Sequence, residues 1–165
     1  LLFRSPTCTP IDKMAATELA RIAEIDMDRY AADMFSAGSN LRGKSNDEIF
    51  YQDFKLFNSG KNSYGVGQIS SLNADELVEL KERLLPFLKK PHEEHGVDMI
   101  FFMLTNILTE STSLLCEGEG AEALIRTAFH MEEAGADDEA NVVELPGVVS
   151  RKKQLIPSIM IACEN

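Results

Sequence analysis

Met99-Ile100-Phe101-Phe102-Met103-Leu104 is the longest uninterrupted apolar run in the chain. With no polar residue at alternate positions, it reads as a strand covered on both faces, and six residues fall far short of the ~20 that a membrane-spanning helix needs. A strand buried on both sides requires helices above and below, and the flanking sequence supplies them. Upstream, Asn73-Ala74-Asp75-Glu76 has the spacing of a capping box, and Leu77, Leu80, Leu84, Phe87 and Leu88 form a helical apolar stripe. Pro86 lies inside that stripe and predicts a kink or early end, because proline lacks the N–H that the helix ladder uses. Between helix and strand, His92-Glu93-Glu94-His95 reads as a solvated polar loop, since its imidazoles lack H-E-x-x-H spacing. Downstream, Ser113 to Cys116 is a second extended segment before a turn at Gly118 and Gly120, and Ala121 to Phe129 reads as an amphipathic helix.

Further out, Thr9-Pro10-Ile11-Asp12 combines a hydroxyl cap, proline at the first helical position and a first-turn carboxylate. Asp26 caps a second helix through Tyr30, Met34 and Phe35 that stops at Gly38. Ser45-Asn46-Asp47-Glu48 is another capping box and opens a short helix to about Gln52. Phe54 to Phe57 and Tyr64 to Ile69 read as strands joined by a hairpin loop, Asn58 to Ser63. Glu132 to Asn141 is an acidic loop, and Val142 to Leu145, Val148-Val149 and Leu155 to Ile161 read as β-rich segments. Strands alternating with helices, with at least one hairpin, predict an α/β (α+β) fold: a mixed sheet with helices packed on it. The break in this pattern lies before Pro10.

At 165 residues and 18.3 kDa, with 44% apolar and 26% charged residues, the composition is that of one globular domain whose core needs no metal or disulfide. The net charge of −11 argues against nucleic acid or an anionic membrane as partner, so any bound anion must meet a local basic cluster. Cys8, Cys116 and Cys163 are odd in number, far apart and outside any C-x-x-C spacing. They read as buried or idle thiols in a reducing, cytoplasmic compartment. Leu1-Leu2-Phe3 begins as if in mid-chain, which suggests a piece of a longer protein.

Several motifs fail on spacing. Gly60-Lys61 lacks the glycine of a phosphate-binding loop, where Lys55 stands, and its Ser or Thr, where Asn62 stands. Gly65-Val66-Gly67 lacks a third glycine, since Ser70 takes its place, and reads as glycines easing a strand against a neighbour. Glu132-Glu133 and Asp137-Asp138-Glu139 have no cation-ligand spacing and read as solvated surface.

The densest basic run, Ser150-Arg151-Lys152-Lys153-Gln154, lies between Val148-Val149 and Leu155-Ile156 in this acidic chain. Apolar flanks hold its backbone near the core while its cations must reach water or an anion. A guanidinium fork beside an ammonium suits phosphate oxygens, whereas lysines on a solvated edge strand guard against aggregation. Composition alone leaves both readings open.

The string from Pro146 to Pro157 resembles the C-terminal signature of family II inorganic pyrophosphatases, metal-dependent members of the DHH phosphoesterase superfamily. Other segments follow in the family's order. Leu1 to Thr7 resembles the interdomain segment, Asp53-Phe54-Lys55-Leu56-Phe57 the segment with a substrate lysine, Gly67-Gln68-Ile69 the next strand, and Asp98 to Thr109 the central strand and its turn. The resemblance implies a linker remnant at residues 1–9 and, at 10–165, the DHH-associated substrate-binding domain of a two-domain, homo-oligomeric enzyme. It departs in the Asn58 to Ser63 and Gly135 to Asn141 loops and at Pro86. The implied N-terminal DHH domain supplies Asp and His ligands for manganese or cobalt; no residue here matches them, and magnesium accompanies the substrate. The residues carried over for pyrophosphate are Lys55, Arg151 and Lys152, with Ser150 adding a hydroxyl or backbone N–H. Lys153 keeps no assigned role. The alternatives are an exopolyphosphatase-type phosphoesterase of the same superfamily and a non-catalytic anion-binding module.

Overall fold

The computed structural model describes residue 3 and residues 8–38, 41, 43–132, 135 and 138–164. Most of the segment read as a linker, together with Glu133 and Asp137 of the acidic loop, lies outside the described residues. The chain divides into two compact units, Leu1–Asn40 and Leu41–Asn165.

The first unit holds α1 (Pro10–Ile22) and α2 (Met27–Gly38). The start of α1 is fixed locally. Thr9 Oγ1 accepts from the Asp12 N–H at 3.3 Å, and the Asp12 carboxylate accepts from the Thr9 N–H at 2.7 Å, with Pro10 at the first helical position. Asp26 begins α2 as its residue type predicts, its Oδ1 accepting from the Arg29 N–H at 3.0 Å.

The second unit is built on a five-stranded sheet of β1 (Phe54–Ser59), β2 (Asn62–Ser71), β3 (Met99–Asn106), β4 (Ser111–Glu117) and β5 (Val142–Pro146), in that spatial order. β2 and β3 are parallel and every other neighbouring pair is antiparallel, so the sheet is mixed. Only the parallel step needs a long crossover, and it carries α4 (Ala74–Leu84) and α5 (Lys89–His95). The first hairpin is tighter than the expected six-residue loop: Ser59 pairs with Asn62 across Gly60-Lys61, with Gly60 left-handed at φ +59°.

β3 is buried on both faces, as its apolar run requires. Met99, Phe101 and Met103 pack with Tyr64, Val66, Leu114 and Cys116 beneath α6 (Ala121–Ala128) and α7 (Ile156–Glu164). Ile100, Phe102 and Leu104 pack on the other side with Ile49 and Phe50 of α3 (Asn46–Phe50) and with Leu77, Leu80 and Leu84 of α4. Each fully buried side chain of this size contributes about 1.5–3 kcal/mol. The glycines of β2 ease close packing: a Cβ at Gly65 would stand 2.5 Å from Phe54 Cζ and 2.8 Å from Ile100 Cδ1, and one at Gly67 would run into the Phe102 ring.

Pro86 acts as its chemistry dictates. α4 stops at Leu84, and Pro86–Leu88 forms a 3₁₀ turn. Two expectations need correction. His92 to His95 do not form a loop: the chain re-enters a helix after the Pro86 turn, and α5 runs to His95, ended by Gly96 in the left-handed region. Nor are Val148-Val149 and Leu155 to Ile161 strands. Arg151–Leu155 forms a π turn that leads directly into α7, because burying Leu155, Ile156 and Ile159 against the sheet outweighs the β preference of branched residues. The basic run is therefore not on an edge strand.

Candidate anion site

Lys55, Arg151 and Lys152 line one concavity of about 230 Å³ together with Phe57 and Ile156. Two short pieces of backbone bring them there. Lys55 is the second residue of β1 and pairs in register with Val66 of β2. Arg151 and Lys152 open the π turn, whose start is held by side chains of its own sequence.

Ser150 caps that turn. Its Oγ accepts from the Lys153 N–H at 3.2 Å, while Ser150 O accepts from the N–H groups of Gln154 at 3.0 Å and Leu155 at 3.2 Å. Gln154 folds back over the preceding residues. Its Oε1 accepts from the Val149 and Ser150 N–H groups, both at 3.0 Å, and its Nε2 donates to Gly147 O at 2.7 Å. Gln68 of β2 ties the segment to the sheet by donating to Val149 O at 3.3 Å. Ser150 thus commits its backbone N–H and a hydroxyl lone pair to the turn, keeping its hydroxyl hydrogen as a donor.

Arg151 is pinned more firmly. Its side chain is 11% exposed; Nη1 donates to Asp53 O at 2.6 Å and Val66 O at 3.2 Å, and Nη2 donates to Asp53 Oδ1 at 2.8 Å. Among the described residues, Nε has no acceptor, and the ammonium groups of Lys55 and Lys152 have no ion pair. Three cations against one carboxylate leave this corner positive in a chain of net charge −11. Arg151 and Lys152 also sit in the first turn of a helical segment, where the backbone dipole is itself positive. That arrangement opposes the helix's own preference and favours an anion in front of it.

Asp53 and Gln154 are site residues to which sequence reading assigned no role. A carboxylate two places before Lys55 was the only signal for Asp53. For Gln154 there was a better one, a glutamine four residues after a serine cap, spaced to reach back over a turn. Lys153 is exposed and does not line the concavity.

His92 Nε2 lies 3.1 Å from Asp98 O, and His95 Nε2 3.1 Å from Tyr51 Oη, so both imidazoles are engaged in packing α5 to its surroundings. Among the described residues, no three or more His, Cys, Asp or Glu side chains gather where they could hold a metal ion. No helix of the described residues is long and apolar enough to cross a membrane.

The DHHA2 domain profile matches residues 32–162. A probable manganese-dependent inorganic pyrophosphatase of Clostridium acetobutylicum is 38% identical over 165 residues, all of this chain and 51% of that protein. A cobalt-dependent inorganic pyrophosphatase of Clostridium perfringens is 38% identical over 159 residues, 96% of this chain and 28% of that protein. The crystal structure assigned to a family II inorganic pyrophosphatase of Methanococcus jannaschii superposes with a TM-score of 0.79 at 32% identity, over 99% of this chain and 52% of that one. The chain therefore spans about half the length of the first of these relatives, and a profile covering most of its residues shows that it belongs to the DHHA2 domain family.

Proposed function

We propose that this chain is the substrate-gripping half of a manganese- or cobalt-dependent inorganic pyrophosphatase, converting diphosphate and water to two phosphates. One observation carries the reading: Lys55 and the Arg151-Lys152 pair, far apart in the sequence, share a single concavity. The names of the relatives supply the substrate class. Pyrophosphate brings three to four negative charges. Each cation at ~4 Å attracts one such charge by about 1 kcal/mol in water, and by about 4 kcal/mol at an effective dielectric near 20. Excluding water from this concavity therefore strengthens the same contacts severalfold. Arg151 presents a rigid planar donor, whereas Lys55 and Lys152 act as mobile point charges.

Manganese or cobalt does not fit the described residues, which contain no ligand cluster. The part of this chain is to bind, orient and neutralise charge, and the DHH domain of the same protein is its partner for the metals. Magnesium accompanies the substrate. Pyrophosphate titrated at low salt into the labelled chain should move the amides around Lys55 and Ser150 to Gln154. Those shifts should need about fivefold more ligand in Lys55→Ala, the loss of one point charge worth about 1 kcal/mol, and vanish in Arg151→Ala; shifts unchanged in both variants would overturn the reading. The chain alone should release no phosphate with any added divalent cation, and metal-dependent release that disappears in Arg151→Ala would contradict the division of labour.

A further inference from the structure

Beside the anion pocket, bonded to Arg151, stands one residue that a purely electrostatic design would leave out. Asp53 puts a carboxylate beside Arg151, which lowers the attraction of the site for any anion, so a physical reason for it must lie in geometry. Asp53 closes the 3₁₀ turn Tyr51–Asp53 and stands two residues before Lys55. It touches Arg151 twice, through its carbonyl at 2.6 Å and its Oδ1 at 2.8 Å. The third acceptor on Arg151 is the carbonyl of Val66, the residue paired with Lys55 across the β1–β2 ladder. One of the three hydrogen bonds thus fastens the guanidinium to the rung that bears Lys55, and the other two fasten it to the residue two places before Lys55. Together they occupy Nη1 and one hydrogen of Nη2, and leave Nε and the second Nη2 hydrogen as one planar fork.

We propose that Asp53 is a positioning residue: its Oδ1 holds Arg151 by one end so that the Nε and Nη2 edge meets a phosphoryl group at a fixed spacing from Lys55. The inference rests on the reading of the pocket as a pyrophosphate site. It predicts that the place of the oxygen acceptor matters more than the charge of Asp53.

Two substitutions separate those properties. Asp53→Asn keeps an oxygen at the Oδ1 position and removes the charge, while Asp53→Glu keeps the charge and moves the oxygen out by a methylene. Sodium pyrophosphate and, separately, inorganic phosphate would be titrated calorimetrically into the full 165-residue chain, its two Asp53 variants and Arg151→Ala. Asp53→Asn should keep the pyrophosphate Kd within threefold. Asp53→Glu should weaken pyrophosphate at least fivefold while leaving inorganic phosphate within twofold, since a single phosphate does not sense the spacing to Lys55. The Nε–H resonance of Arg151 should shift with pyrophosphate in the unaltered chain and in Asp53→Asn, and not in Asp53→Glu. A merely structural role would lower the melting temperature without changing the ratio of the two affinities. Unchanged pyrophosphate binding in Asp53→Glu, or tightening beyond tenfold in Asp53→Asn, would overturn the positioning role. If Arg151→Ala binds pyrophosphate as well as the unaltered chain, or the unaltered chain binds none at millimolar concentration, the pocket reading itself fails and this one with it.

Discussion

Arg126 and Arg151 are buried alike, with side chains 12% and 11% exposed, and each holds a carboxylate within 3.0 Å. Their surroundings differ in sign. Arg126 of α6 gives Nε to Glu122 Oε1 at 3.0 Å, Nη2 to Asp138 Oδ2 at 2.9 Å and Nη1 to Glu132 O at 3.2 Å, so every nitrogen is engaged and two acids outweigh one cation. Glu122 also accepts from the Asn141 N–H at 3.0 Å, which makes the cluster a clasp between α6 and the start of β5. Arg151 has one carboxylate, two carbonyls and, among the described residues, an uncommitted Nε and two lysines without an ion pair lining the same concavity. A neutralised arginine fastens two pieces of chain. One fastened at a single end, with charge to spare, can also meet a ligand.

On the proposed function, the largest effect separating the two should appear in the turnover of a full-length pyrophosphatase that carries this chain. Arg151→Ala should lower it by roughly 10²–10³, the scale of losing one preorganised charge-stabilising donor, while Arg126→Ala should stay within threefold. A loss below threefold in Arg151→Ala would erase the distinction. Stability should show the opposite emphasis. Arg126→Ala should cost about 1–3 kcal/mol in urea unfolding, because it leaves charged acceptors without their donor, yet pyrophosphate should still raise its melting temperature. In Arg151→Ala that ligand-induced rise should disappear.

Smaller changes sharpen the contrast. Lys55→Ala and Lys152→Ala should each weaken pyrophosphate binding about fivefold, as expected for losing one exposed point charge worth about 1 kcal/mol. Lys81→Ala, which removes a lysine already paired with Glu139, should leave that affinity unchanged by calorimetry. The smallest effect concerns acid. Asp98 accepts from the backbone N–H and the hydroxyl of Ser63, both at 2.7 Å, and these bonds hold its carboxyl below the usual carboxylate range. A lowered native pKa gives stability that is present above the unfolded value and lost as pH falls through the native one. Asp98→Asn should therefore flatten the decline in urea midpoint below about pH 4, whereas Arg151→Ala should not.

What could be read from the sequence was what short-range chemistry decides. Thr9, Ser45 and Asn73 cap helices because each side chain meets an N–H two or three residues on, and the covered strand at Met99 to Leu104 needs only its own composition to be recognised. The segment after Pro146 was misread, since Val148, Val149, Ile156, Ile159 and Ile161 favour strands one by one. The spacing of Leu155, Ile156 and Ile159 is helical, but it persuades only once a sheet is there to receive it. The cations of the pocket were named through family resemblance and not through periodicity. Asp53 stayed unassigned because its partner lies 98 positions along the chain, beyond the reach of any local pattern.

That separation has a consequence for how the domain is made. The concavity needs β1 from the early part of the second unit and the π turn near the end of the chain, with every other strand laid down in between. Contacts this distant in sequence close late, since the entropy of the loop must be spent before they can form. During synthesis, Lys55 leaves the ribosome with neither Asp53's partner nor the floor of the pocket in existence. A chain cut off before Ser150 would carry all five strands and neither Arg151 nor Lys152, so the proposed anion site forms only once the π turn has been made and has docked beside β1.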